Sequence, residues 1–101
     1  MIEIMSEVEF TTLINTDGIV LVDFYAPWCG PCKFLKGTLE SLESDNEDAQ
    51  FYCCSVENYS HPSVRSVPTV IIYKNGVPVE TLMGALSAKT YTEAFNKIRN
   101  A

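Results

Sequence analysis

The sequence predicts an α/β domain: a central mixed β-sheet flanked by helices on both faces. Three observations carry that expectation. The first half of the chain alternates helix-like and strand-like segments, the pattern that builds parallel strands with crossover helices. In the second half, Lys74-Asn75-Gly76 joins two β-rich runs, and Asn-Gly between such runs is a strong hairpin signal. The first long strand candidate, Ile19 to Tyr25, is nearly all apolar, as in a strand covered on both faces. A chain of 101 residues has room for one hydrophobic core, so residues 1–101 are read as a single domain.

The elements follow in order. A short leading strand is allowed before the first helix. Ser6-Glu7-Val8-Glu9 forms a capping box, and Phe10, Leu13 and Ile14 then recur at helical spacing, so a helix ends near Asn15. Asp17-Gly18 is a turn into the strand Ile19 to Tyr25. Leu35, Leu39 and Leu42 recur at i, i+4 and i+7, which predicts a second helix from about Gly30 to the acidic stretch Ser44–Asp48. Phe51 to Val56 is the next strand, and Asn58 to Ser66 is a loop with room for one helical turn at most. The hairpin strands run over Thr69 to Tyr73 and Val77 to Leu82. Gly84 breaks the pattern, and Ser87 caps a last helix whose apolar face is Tyr91, Ala94, Phe95 and Ile98.

Composition excludes several functions. Hydrophobic residues are 47% and charged residues 20%, so the chain is globular. Seven Lys+Arg against thirteen Asp+Glu give a net charge of −6. That balance argues against nucleic-acid binding, which draws its affinity from clustered Lys and Arg, and supplies no polybasic membrane patch. No apolar run approaches the ~20 residues that span a bilayer. The N-terminus has acidic residues where a signal peptide needs a basic region, so a reducing, cytoplasmic setting is expected. The four cysteines, at 29, 32, 53 and 54, do not have the spread of a secreted disulfide framework.

The chemistry concentrates in Trp28-Cys29-Gly30-Pro31-Cys32-Lys33, between a strand end and a helix start. Cys29 falls at the helix N-terminus, where unpaired N–H groups and the macrodipole favour a thiolate, the nucleophilic form of the thiol. Cys32 lies one turn on, within reach of the first sulfur. Pro31 suits a first helical turn, because it lacks the N–H that would be unpaired there and its φ is already helical. The same spacing occurs in zinc sites, but a structural zinc takes four protein ligands. The other candidates are Cys53, Cys54 and His61, and adjacent strand residues point to opposite faces, so no metal is expected. An inert structural disulfide is not expected either, because so short a loop constrains little of the unfolded chain.

Val22-Asp23-Phe24-Tyr25-Ala26-Pro27 followed by Trp28-Cys29-Gly30-Pro31-Cys32-Lys33 resembles the active-site segment of the thioredoxin family. Val64-Arg65-Ser66-Val67-Pro68-Thr69, Tyr73-Lys74-Asn75-Gly76 and Gly84-Ala85-Leu86-Ser87 match three further blocks of that family in the right order, so the resemblance covers essentially the whole chain. It implies a thioredoxin-like fold and reduction of protein disulfides by dithiol–disulfide exchange. Cys29 matches the attacking cysteine and Cys32 the resolving one. Asp23 matches a buried acid beneath the site. It interrupts an apolar strand, and burial there would raise its pKa and suit it to proton transfer with Cys32; the alternative is an Asp at an exposed strand position. Pro68 matches a cis-proline, which leaves the backbone of Val67 open to pair with a substrate peptide. Trp28, Pro31, Val67, Gly84 and Ala85 would form an apolar docking rim, with burial in the core as the other reading of Trp28. Lys33 reads as a solvated helix residue beside the site.

Three departures from the family pattern stand out. Gly37 replaces a helix-kinking proline. The Glu57–Ser66 segment is short, leaving a turn in place of a helix, with His61 expected exposed in it. Cys53 occupies the strand position where the family often has a lysine near the buried acid, so Asp23 is expected to hold its proton more readily. Cys53 and Cys54 read as buried strand residues. Gly-Pro between the cysteines resembles the reducing members of the family. The implied partners are a thioredoxin reductase, linked to NADPH or ferredoxin, and protein disulfide substrates; no bound cofactor is implied, and a monomer is expected. An oxidase or isomerase domain would carry histidine in place of Pro31, and a non-redox docking module would not need both cysteines.

Overall fold

A computed structural model describes all 101 residues. The elements are β1 (Ile2–Ile4), α1 (Glu7–Ile14), β2 (Ile19–Tyr25), α2 (Gly30–Asp45), β3 (Ala49–Ser55), β4 (Thr69–Lys74), β5 (Val77–Met83) and α3 (Ala88–Arg99). The five strands form one sheet in the order β1-β3-β2-β4-β5. β1 and β2 run parallel to β3, while β4 is antiparallel to β2 and to β5. The expected mixed sheet is therefore present, with β2 at its centre.

Alternation along β2 assigns the two faces. Ile19 and Leu21 pack with Phe51, Val70 and Ile72 against Leu35, Leu39 and Leu42 of α2 and Tyr91, Ala94, Phe95 and Ile98 of α3. Val20, Val22 and Phe24 pack with Tyr52, Cys54, Ile71 and Tyr73 against Phe10 of α1. Helices thus cover both faces. Each leucine buried from α2 contributes about 1.5–3 kcal/mol of transfer free energy. The same two-residue period places Asp23 and Cys53 on the α2 side of the sheet and Cys54 on the α1 side.

Local chemistry fixes the ends of the elements. At Asn75 and Gly76 φ is 52° and 83°, so the conformation favours glycine at position 76, where a Cβ would also lie 3.2 Å from Asn15 Oδ1 and press that side chain aside by a few tenths of an ångström. This turn locks to the one before β2: Gly18 N–H donates to Asn75 Oδ1 at 2.8 Å, and Asn75 N–H to the Gly18 carbonyl at 2.9 Å. Ser6 Oγ accepts from Glu9 N–H at 3.2 Å, as a capping box requires. The return bond differs, since Glu9 accepts from Met5 N–H rather than from Ser6. β1 ends at Ile4 and leaves the Met5 N–H outside the sheet ladder.

β3 starts at Ala49, two residues before the expected Phe51, because parallel pairing with β2 begins at Ile19–Ala49. It ends at Ser55 instead of Val56, whose N–H turns to the Tyr25 carbonyl at 2.8 Å. The Glu57–Ser66 segment contains turns and no helix. α2 runs unbroken through the exposed Gly37. No helix is long and apolar enough to cross a membrane. At the far end of α3, Arg99 makes a two-pronged bond to Asp48 (2.8 and 2.7 Å) and tethers the helix to the α2–β3 loop.

Ser87 caps α3 by accepting from Thr90 N–H at 3.3 Å. Ser87→Ala is expected to destabilise the protein by about 1 kcal/mol. Urea titration should show a lower midpoint at unchanged slope; an unchanged midpoint would remove the cap from the accounting.

Candidate active site

β2 delivers the chain to Ala26-Pro27-Trp28, and a turn closed by Cys29 N–H on the Ala26 carbonyl (3.1 Å) leads into α2. Cys29 is the N-cap of α2, and Pro31 sits in the first turn. Cys29 and Cys32 form a disulfide with Cα atoms 5.3 Å apart. Cys29 Sγ also accepts from Cys32 N–H at 3.2 Å. The sulfur of Cys29 therefore occupies the position a capping oxygen would take, facing the unpaired amides of a helix N-terminus. Such a position stabilises the negative charge of a thiolate once the disulfide is reduced. Both cysteines are buried among Ala26, Tyr25, Val56 and Val67. Gly30, Pro31 and Lys33 are exposed.

Behind the pair lies a cavity of about 190 Å³, lined by Asp23, Cys32, Lys33, Lys36 and Cys53, among others. Asp23 is only 1% exposed, which settles its placement as a buried acid, and no hydrogen bond reaches its Oδ1. Burial raises its pKa to about 7, with the positive charge of Lys36 acting in the opposite direction. Cys53 pairs with Asp23 in the sheet register and shares the cavity. Burial, followed by the carboxylates of Glu3 and Asp23, pushes the Cys53 thiol up to about 11. Cys54 lies in the core on the opposite face, and burial pushes it to about 11 as well. Both stay protonated thiols near neutrality.

The sequence reading missed Lys36. It found the cationless position on β3 and expected none of that charge near Asp23, whereas α2 supplies a lysine from the other side of the cavity. The signal was available: Lys36 is four residues after Cys32, hence on the same helical face. Tyr91 was assigned to the core of α3. It is there, fully buried, but its hydroxyl has no hydrogen-bond partner and Asp23 acts on its pKa, so it faces the acid from α3.

The opposite side of the disulfide is an open face. Trp28 is 73% exposed, which overturns its core reading. The Val67–Pro68 peptide bond is cis. Pro68 is buried, and its carbonyl accepts from Gly84 N–H at 2.9 Å. Val67 is half-buried against the disulfide, and Ala85 is exposed. Gly84 has a φ of 90°, a conformation that requires glycine. Trp28, Val56, Val64, Arg65 and Val67 line a groove of about 260 Å³ together with His61. His61 is half-buried, not exposed as expected. Its ring packs 5.3 Å from the centroids of Phe10 and Phe24, because the short loop folds it onto the α1 face. Burial lowers its pKa, so it carries no charge near neutrality.

Comparison with known proteins agrees with this geometry. A family model described as thioredoxin matches residues 1–97. The chain is 36% identical to the mitochondrial thioredoxin-2 of Schizosaccharomyces pombe over 81 residues, 76% of this chain and 61% of that protein. It is 38% identical to the thioredoxin of Chlamydia caviae over 88 residues, 83% of this chain and 85% of the other. A solved structure of Plasmodium falciparum thioredoxin superimposes with a TM-score of 0.84 at 31% identity, covering 96% of this chain and 98% of that one.

Proposed function

The chain belongs to the thioredoxin family, with the thiol–disulfide oxidoreductase character of a close cysteine pair, and from that premise we propose that it reduces protein disulfides. The observation that supports the reading best is the Cys29–Cys32 pair at the N-terminus of α2, with the buried carboxyl of Asp23 in the cavity behind it.

In the reduced protein, the Cys29 thiolate attacks one sulfur of the substrate disulfide. A Cys29–substrate disulfide forms, and the other substrate sulfur leaves as a thiolate and takes up a proton. Cys32 then gives its proton to the Asp23 carboxylate and attacks Cys29 Sγ. The Cys29–Cys32 disulfide closes, and the second substrate sulfur leaves as a thiolate and takes up a proton as Asp23 gives up the one it received from Cys32. Two electrons and two protons have passed to the substrate. A base with a pKa of about 7 suits this step, because it is partly ionised at the working pH and strong enough to take a thiol proton. Trp28, Pro31, Val67, Gly84 and Ala85 form the docking face, where a substrate strand pairs with the backbone of Val67. Electrons to reopen the Cys29–Cys32 disulfide come from a thioredoxin reductase, with no cofactor bound to this chain. The protein acts as a monomer in the cytoplasm.

Equilibration with glutathione measures the potential of the couple. The expected value is near the roughly −270 mV of thioredoxins. A value at or above about −180 mV would instead assign the protein to disulfide formation or isomerisation.

A further inference from the structure

The cavity behind Cys32 holds one group whose role the exchange mechanism leaves open. Lys36 lines it from α2, one turn beyond Cys32, opposite the carboxyl of Asp23. The position on β3 that faces Asp23 in the sheet carries Cys53, which is uncharged near neutrality. β4 contributes the apolar Val70 at the facing register position. From α3 comes the un-ionised hydroxyl of Tyr91, and from β2 itself Tyr25, whose hydroxyl is engaged by Glu3. α2 contributes Cys32, Lys33 and Lys36. Both lysines border the cavity, but they do not stand alike toward the acid. Lys33 follows Cys32 directly, about 100° around the helix, whereas Lys36 is four residues on and about 40° away, above the same face.

We propose that Lys36 is a positioning residue for disulfide exchange: from α2 it supplies the positive charge opposite Asp23 that β3 does not provide, and so sets the pH range in which Asp23 can take the proton of Cys32.

The direction of the effect follows from the charges. A nearby cation favours the carboxylate and opposes the burial that favours the acid. Without the lysine, Asp23 holds its proton to higher pH, and fewer molecules carry a free base near neutrality. The acid limb of the exchange rate must then move to higher pH. Because Lys36 is exposed at the mouth of the cavity, salt must weaken its action on Asp23. A purely structural role predicts neither effect.

The inference rests on the disulfide-reductase reading for its effect on rate, but not for its effect on Asp23. The test is a carbon-13 NMR titration of the Asp23 carboxyl in the wild type, Lys36→Met and Lys36→Arg, together with the pH profile of reduction of a protein disulfide by each. The titration of Lys36→Met is expected at higher pH than wild type, with Lys36→Arg restoring it, and 0.5 M salt should shift the wild type more than Lys36→Met. On the acid limb, reduction by Lys36→Met should slow by roughly two- to fivefold, the scale of an exposed charge pair, and recover at high pH. An unmoved Asp23 titration in Lys36→Met overturns the proposal, as does a moved titration with an unmoved rate profile. Absence of reduction by the wild type itself would sink the reductase reading, while the titration would still decide whether Lys36 governs Asp23.

Discussion

Cys32→Ser should trap a covalent complex with a disulfide substrate, and Cys29→Ser should lose reduction by on the order of 10⁴-fold or more, the scale of removing a covalent nucleophile. The asymmetry comes from where each sulfur sits. Cys29 occupies the N-cap of α2 and faces its free amides, so its thiolate is the stabilised one. Cys32 is a turn deeper, behind it and toward the cavity with Asp23. Removing the deeper thiol leaves attack intact but removes the group that resolves the intermediate. Serine at 32 cannot do this, because its hydroxyl does not form a bond to sulfur under these conditions. The remaining cysteines do not mask the result. Cys53 and Cys54 are buried on opposite faces of the sheet, and both titrate at about 11. Mass spectrometry under non-reducing conditions should find one substrate per Cys32→Ser chain, linked at Cys29. Persistent turnover by Cys29→Ser, or an adduct at Cys53, would reassign the nucleophile.

Much of this site was legible because its signals are local. Trp28 to Lys33 names the strand-to-helix junction, and the three downstream blocks name the loops that close around it. The sheet was legible because β2 is apolar without interruption except at Asp23, and because Asn75-Gly76 permits one kind of turn. The features that escaped depend on contacts across the fold. The start of β3 is set by parallel pairing with β2, and Ala49-Gln50 has no strand signal of its own. His61 looks like a loop histidine until its ring is seen among Phe10, Phe24 and Tyr59. Lys36 looks like one more solvated helix residue until the cavity joins it to an acid thirteen positions earlier on another element. Its charge also changes the meaning of Cys53: the strand is without a cation, but the site is not.

Asp23→Asn should make the protein more stable at pH 8 while making it a poorer reductase, and the gain should vanish in acid. A carboxyl whose pKa is about 7 in the folded protein and 3.8 when exposed binds more protons folded than unfolded between those values. Stability from this group is therefore fully present below pH 3.8 and is lost as the pH rises to about 7, where the buried carboxylate must ionise. A displacement from 3.8 to about 7 corresponds to roughly 4 kcal/mol. The neutral amide of Asn avoids that cost. The amide and the protonated carboxyl both bury a polar group without a partner, so that cost is common to the two proteins and cancels in their difference. Urea unfolding across pH 3 to 8 should thus give nearly equal stabilities for the two proteins at the acid end and a gap of a few kcal/mol at pH 8. Asp48, held low by its hydrogen bond to Arg99, contributes a slope of the opposite sign. The difference between variant and wild type cancels that contribution and isolates Asp23. The amide cannot accept the Cys32 proton, so the mixed disulfide should persist and turnover should fall by roughly 10²-fold or more. A stability gap that is the same at every pH would mean that Asp23 is not the buried acid of this site. A gap that opens with pH while turnover is unaffected would leave its burial in place and remove it from the proton transfer.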